Sequence, residues 1–308
     1  MLQTFIAIIP AFALMGAGYV VRRSGLAPQN WIEVLNRFVY IVALPALIIT
    51  SLLRIDFGTT GVYTALAVSL ALPIITGLAL LLILPLTKLP RASQAAVFLL
   101  CVLGNTIFLG IPIATAMQPS ASPALITTLG TAQFLAGLFI GLIGLELRFS
   151  QKRHVGNIIT TLLKNPLVIS LAIGAVLALT PGINSVTTQL ESILKLLAAT
   201  ASPLALFALG MFWVGHTWRP SYAVPIMSIA AIKLVAMPAL LISMSAPLQL
   251  ATSLGTTTII MAAMPPAVTA FVLAKTYKID TNLVATSLVV TTLMSALSLP
   301  IIGSLIGL

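Results

Sequence analysis

The chain has 308 residues, of which 59% are hydrophobic and only 6% charged. Soluble domains carry about 25% charged residues, so a soluble fold is excluded. The formal net charge of +10 would point to nucleic acid in a soluble protein, but here the basic residues stand singly between apolar runs. That arrangement fits membrane topology and lipid headgroups as partners and argues against nucleic acid.

Ten apolar runs, each near the ~20 residues a bilayer requires, fall at roughly 3–21, 31–53, 62–86, 94–117, 122–147, 158–179, 188–215, 221–245, 248–275 and 280–306. The first has no basic residue before its apolar core and runs into Arg22-Arg23, so it reads as a span and not a cleaved signal peptide. The second contains Ala43-Leu44-Pro45-Ala46-Leu47. The fourth is interrupted near its middle by Gly104-Asn105-Thr106-Ile107-Phe108-Leu109-Gly110-Ile111-Pro112. Gly and Pro weaken the helical hydrogen-bond ladder, and in hydrocarbon a freed backbone group must be buried in protein or line a wet cavity. The segment is therefore expected to unwind where it has something to bond. The seventh run begins with Ser185 to Ala198, whose Glu191 and Lys195 leave open an interfacial amphipathic turn. The ninth is interrupted by Ala262-Ala263-Met264-Pro265-Pro266-Ala267, a counterpart of the fourth. Interrupted hydrophobic segments at corresponding places in two halves are a pointer to a transporter's binding site.

With the N-terminus outside, the cytoplasmic loops hold Arg22, Arg23, Lys88, Arg91, Arg148, Lys152, Arg153, Arg219, Lys275 and Lys278, against Arg54 and the nearby Lys195 outside. The asymmetry is a positive-inside signal, and an even number of spans places both termini outside. Trp31, Trp213, Trp218 and Tyr222 stand near span ends, where an aromatic belt would lie.

Ten spans divide into halves of five, 1–150 and 151–308, and an odd number per half inverts the second relative to the first. Pro45 and Pro203 are 158 residues apart, and Pro112 and Pro265 are 153 apart. Similar offsets for two landmarks point to an inverted duplication. The expected fold is thus an all-α polytopic membrane protein, ten transmembrane helices in two inverted five-helix repeats, with the fourth and ninth broken.

The sequence resembles the auxin efflux carrier family, which includes bacterial malate and malonate permease-like proteins and plant auxin exporters. The resemblance rests on Leu35-Asn36-Arg37-Phe38 leading to Ala43-Leu44-Pro45-Ala46, on Asn105 to Pro112, on Pro203 to Gly210, on Lys233 to Pro238, and on Met264-Pro265-Pro266-Ala267 running to Ala274-Lys275-Thr276-Tyr277. It covers essentially the whole chain and implies a scaffold domain, a transport domain in which the broken helices cross, and movement of organic anions. The long cytoplasmic loop of many plant members is absent, which is the shape of a short, bacterial inner-membrane member.

Candidate substrate-binding residues follow. A half-helix N-terminus suits a carboxylate, and the residues after Pro112 and after Pro266 would supply such ends, with Gly110, Pro265 and Ala267 shaping the breaks. Asn105 and Thr106 would add side-chain donors and acceptors, or Asn105 would merely cap freed backbone. Lys233 falls at the centre of the eighth run. An intramembrane lysine is a functional candidate by default; it would attract an anion, stand where other transporters keep sodium, or bond carbonyls at a break. Gln133 in the fifth run would bond a neighbouring helix or the ligand. Arg37 would snorkel to headgroups or line an anion vestibule. Thr200 and Ser202 would satisfy backbone freed by Pro203.

Other chemistries lack the residues. His154 and His216 sit at cytoplasmic ends, so a metal site is not expected. Cys101 has no basic neighbour in sequence and reads as packing. Glu33, Asp56, Glu146, Glu191 and Asp280 all fall at span ends, which offers no buried proton relay. No phosphate-cradling glycine loop exists, no cofactor is implied, and the chain is not expected to be an enzyme. The expectation is a secondary transporter of small mono- or dicarboxylates by alternating access, with a passive anion channel or a non-transporting sensor as rivals. Sodium or proton coupling and a homodimer stay open.

Overall fold

The computed structural model describes residues 2–53, 61–149, 160, 163–180, 184–215, 219–248, 252–277 and 279–308. Arg54, Asp56, Lys152, Arg153, His154, His216, Trp218 and Lys278 lie outside the described residues, as does the junction at 150/151. Among those described, the regular structure is helical, with no β-strand beyond one isolated bridge.

The described residues include, in chain order, the helical stretches α1 (Leu2–Arg23), α2 (30–52), α3 (Val62–Leu86), α4 (Arg91–Val102), α5 (Thr106–Met117), α6 (Pro123–Phe149), α7 (Pro166–Leu179), α8 (Asn184–Phe212), α9 (Pro220–Ser245), α10 (Thr252–Ala262), α11 (Thr269–Thr276) and α12 (Thr281–Leu305). Among the described residues six stretches, in α2, α3, α6, α8, α9 and α12, are long and apolar enough to cross a membrane. The interrupted fourth run is α4 and α5, and the ninth is α10 and α11.

Local chemistry explains the irregularities. Each of Pro45, Pro112 and Pro238 lies two residues after a π-helical turn, at Val39–Ala43, Thr106–Gly110 and Ala231–Ala236. A proline ring clashes with the carbonyl four residues back, and widening the preceding turn relieves that clash within an otherwise continuous helix. Asp280 starts α12 by accepting the Leu283 N–H at 3.0 Å, and it also accepts the Tyr222 hydroxyl at 3.2 Å. Tyr277, just past α11, bonds Glu146 near the end of α6; burial and then that carboxylate raise its pKa above the usual phenol value.

Glycines set the closest packing. A Cβ on Gly210 of α8 would overlap the Met15 carbonyl oxygen of α1, and one on Gly18 of α1 would overlap the Phe207 carbonyl of α8. Backbone thus rides on backbone where α1 crosses α8. Helix α2 packs against α7 and α8, α3 against α6, and α9 against α12. One large buried cluster runs from α2 through α4 and α6 to α12, and a second joins α5, α10 and the end of α12. Both surround the two interruptions.

Candidate functional site

The two interruptions meet. Helix α4 ends at Val102 and Leu103 is extended. Helix α10 ends at Ala262, after which the chain turns and runs unwound to Val268. Two features enforce this second break: Pro265 and Pro266 lack an N–H for the ladder, and Met264 and Pro265, each preceding a proline, are pushed out of the helical region. Gly104 and Pro266 then form an antiparallel bridge. The Asn105 N–H donates to the Pro265 carbonyl at 2.7 Å, and the Ala267 N–H donates to the Leu103 carbonyl at 2.8 Å. Backbone groups that neither helix could satisfy alone are satisfied by the other.

Lys233, from the π turn of α9, reaches this bridge. It is 0% exposed, and a Cβ on Gly104 would stand 3.0 Å from its Nζ. Asn105 is 1% exposed and occupies the N-cap of α5, yet its side chain makes no capping bond. Among the described residues, Lys233 Nζ and both polar side-chain atoms of Asn105 have no hydrogen-bond partner. An unmet buried polar atom costs about 1–3 kcal/mol, and three lie together here.

The remaining sequence candidates lie around the same point. Thr106 Oγ1 donates to the Gly130 carbonyl of α6 at 2.6 Å, tying the start of α5 to a neighbouring helix. Gln133 Nε2 donates to the Met261 carbonyl at the end of α10, a long contact of 3.4 Å, while its Oε1 has no partner among the described residues. Gly110 faces the same helix end: a Cβ there would come within 2.8 Å of Met261 Sδ and 3.0 Å of Met264 Cγ. A cavity of about 20 Å³, the room of a single water, opens beside the breaks between Asn36, Val39 and Tyr40 of α2 and Phe108, Val268 and Thr269.

Two expectations, those for Pro112 and Thr200, are corrected, and the other candidates are placed beside them. The first half-helix begins at Thr106, not after Pro112; Pro112 sits inside α5, because the widened turn accommodates its ring. The second begins at Thr269, following Pro266 as expected. Thr200 donates to the Leu197 carbonyl at 2.7 Å and not to the Ala199 carbonyl that Pro203 frees. Arg37 is exposed on α2, and the side chain of Ser202 lies outside the described residues. Cys101, with no basic neighbour in sequence, is fully buried in the last turn of α4 within electrostatic reach of Lys233. Nothing in the sequence links those two positions; the packing of α9 against α4 brings them together.

Apolar helices of membrane-spanning length, folded around two interrupted helices that complete each other's backbone, fit a polytopic membrane protein. The family described as membrane transport protein matches residues 3–145 and 152–303, and the chain belongs to that family, the one the auxin efflux carrier resemblance pointed to. It is also 24% identical over 306 residues to an uncharacterized transporter of Methanocaldococcus jannaschii, with 96% of each chain covered.

Proposed function

We propose that this membrane transporter is a secondary carrier of small organic anions, which bind at the crossing of the two broken helices. The observation that carries the reading is the trio of unpartnered buried atoms on Lys233 and Asn105 beside the bridge. Lys233 supplies the cation. Asn105 supplies an amide donor, and the first turn of α5 supplies the partial positive charge of a helix N-terminus. Gln133 Oε1 and Thr106 complete the ring, while Gly110, Pro112, Pro265, Pro266 and Ala267 shape the backbone around it. Among the described residues Lys233 Nζ has no carboxylate partner, which favours an anion over an internal ion pair.

The same reading gives ten crossings in two inverted repeats, 1–150 and 151–308, with both termini outside a bacterial inner membrane. The packing supports it. If α1, α2, α3, α4/α5 and α6 repeat as α7, α8, α9, α10/α11 and α12, then the contact of α1 with α8 is the mate of α7 with α2, and α3 with α6 is the mate of α9 with α12. The family match pauses between 145 and 152, at the proposed junction. Substrate access alternates as the crossing moves against α1, α2, α7 and α8.

The test is equilibrium binding of a panel of mono- and dicarboxylates to purified protein, with and without sodium and across pH. The expected result is saturable binding that Asn105→Ala abolishes. Normal binding by Asn105→Ala would remove the crossing as the pocket. Saturable flux with counterflow in proteoliposomes separates this carrier from a passive anion channel.

A further inference from the structure

A second cavity, of about 210 Å³, lies away from the crossing, between Leu47 and Thr50 of α2, Pro123, Ala124 and Thr127 of α6, and Lys195, Ala198 and Ala199 of α8. That is room for about seven waters at liquid density. Asn36, Val39 and Tyr40 line the smaller cavity, and Leu47 and Thr50, beyond the π turn of α2, line the larger one. The two cavities therefore follow one another along α2, about ten residues or ~15 Å apart.

Its lining is chemically lopsided. Thr50 gives its hydroxyl proton to the Ala46 carbonyl at 2.8 Å, and Thr127 gives its own to the Pro123 carbonyl at 2.8 Å, so neither is a free donor. Leu47, Pro123, Ala124, Ala198 and Ala199 are apolar. Lys195 is the one ionisable side chain in the lining. It is 44% exposed and held 3.0 Å from Glu191, one turn earlier on α8. A ligand that fits must bring a single negative charge to Lys195 and an apolar body to the rest. A dicarboxylate would press its second charge on an apolar wall.

We propose that this cavity is a second anion station, in which Lys195 holds a small apolar monocarboxylate on the route between the outer face and the crossing. The proposal rests on the carrier reading above and narrows it to monocarboxylates at this station. Glu191 competes with the ligand for Lys195, so it weakens binding and keeps the station reversible.

The probe is radiolabelled benzoate, titrated onto the purified full chain. Two sites per chain are expected. Lys195→Gln should weaken one of them about tenfold, Lys195→Arg should largely restore it, and Ala198→Trp should remove it by filling the cavity. Glu191→Gln should tighten the same site, an opposite sign that a merely structural ion pair would not give. Succinate should fail to displace this component. Titrations of Lys195→Gln and Ala198→Trp that match wild type overturn the station, as does a wild type that binds no benzoate. A Lys195-dependent site that vanishes in anionic-lipid nanodiscs but persists in neutral ones would assign the cavity to a lipid headgroup and overturn it too. Loss of the Asn105-dependent component alone sinks the crossing; loss of the Lys195-dependent component alone sinks only the station.

Discussion

Replacing Lys233 by methionine separates a binding lysine from a structural one. Methionine is close in length and fills the same fully buried space, so the substitution removes charge without opening a cavity. A lysine at the centre of a membrane helix costs about 2.5–3.5 kcal/mol on insertion scales, and the Nζ at the bridge has no partner among the described residues to offset that. The ligand-free Lys233→Met protein should therefore be more stable by about 2–3 kcal/mol, read as a rise of several degrees in apparent Tm. The wild type should in turn be stabilised by bound carboxylate, by about 2.7 kcal/mol at a hundredfold excess over Kd. The variant should show no such shift and no transport. A thermal-shift series with and without carboxylate, beside uptake in proteoliposomes, checks both halves. A variant that melts lower than wild type and still gains from ligand would show that Lys233 props the fold and does not hold the anion.

The neighbouring contacts give further tests. Gly104→Ala puts a methyl 3.0 Å from Lys233 Nζ and 3.4 Å from Thr106 Cγ2; the flexible ammonium end moves aside, so the fold should survive while carboxylate affinity falls several-fold in the same binding assay. Gly210→Ala sets a methyl against the Met15 backbone carbonyl, which cannot move aside, so the α1–α8 contact must open at a cost of about 1–3 kcal/mol; reduced apparent Tm is the readout. Thr106→Val keeps the shape but deletes the 2.6 Å bond to the Gly130 carbonyl, and should cost about 1 kcal/mol in thermal stability.

The helical runs were legible because a bilayer demands long apolar segments, and each such run carries helix where it is described. The breaks were legible for a related reason: two glycines, an asparagine and a proline in one run, and adjacent prolines in another, are hard to reconcile with continuous helix in hydrocarbon. What composition could not give was the point of restart. Proline both ends helices and sits inside widened ones, and Pro112 does the second. Long-range company was also hidden. Neither the approach of Lys233 to Gly104 nor its nearness to Cys101 leaves any local trace, since those positions meet only through the tertiary packing of α9 against α4. Lys195 looked like a span-end charge, because a hydropathy pattern gives a residue's depth but not the cavity that a facing helix leaves beside it.

The position of the two cavities bears on how such a carrier would move. Both are lined by α2: one lies between α2 and the breaks, the other between α2, α8 and the start of α6. Glycine contacts lock α1 to α8, and the main-chain bridge locks the two breaks to each other. Rigid contacts thus lie within each group, and the unfilled volume lies along the seam between them. Close-packed groups do not deform continuously, so a relative shift would take up space at the seam and not within either group. In the described arrangement the cavity beside the breaks is about 20 Å³, too small for a carboxylate, while the one near Lys195 is about 210 Å³. A sliding seam would trade one volume for the other, with α2 as the wall past which the bound anion moves. Filling the larger cavity with Ala198→Trp should then slow exchange across the membrane more than it weakens binding at the crossing.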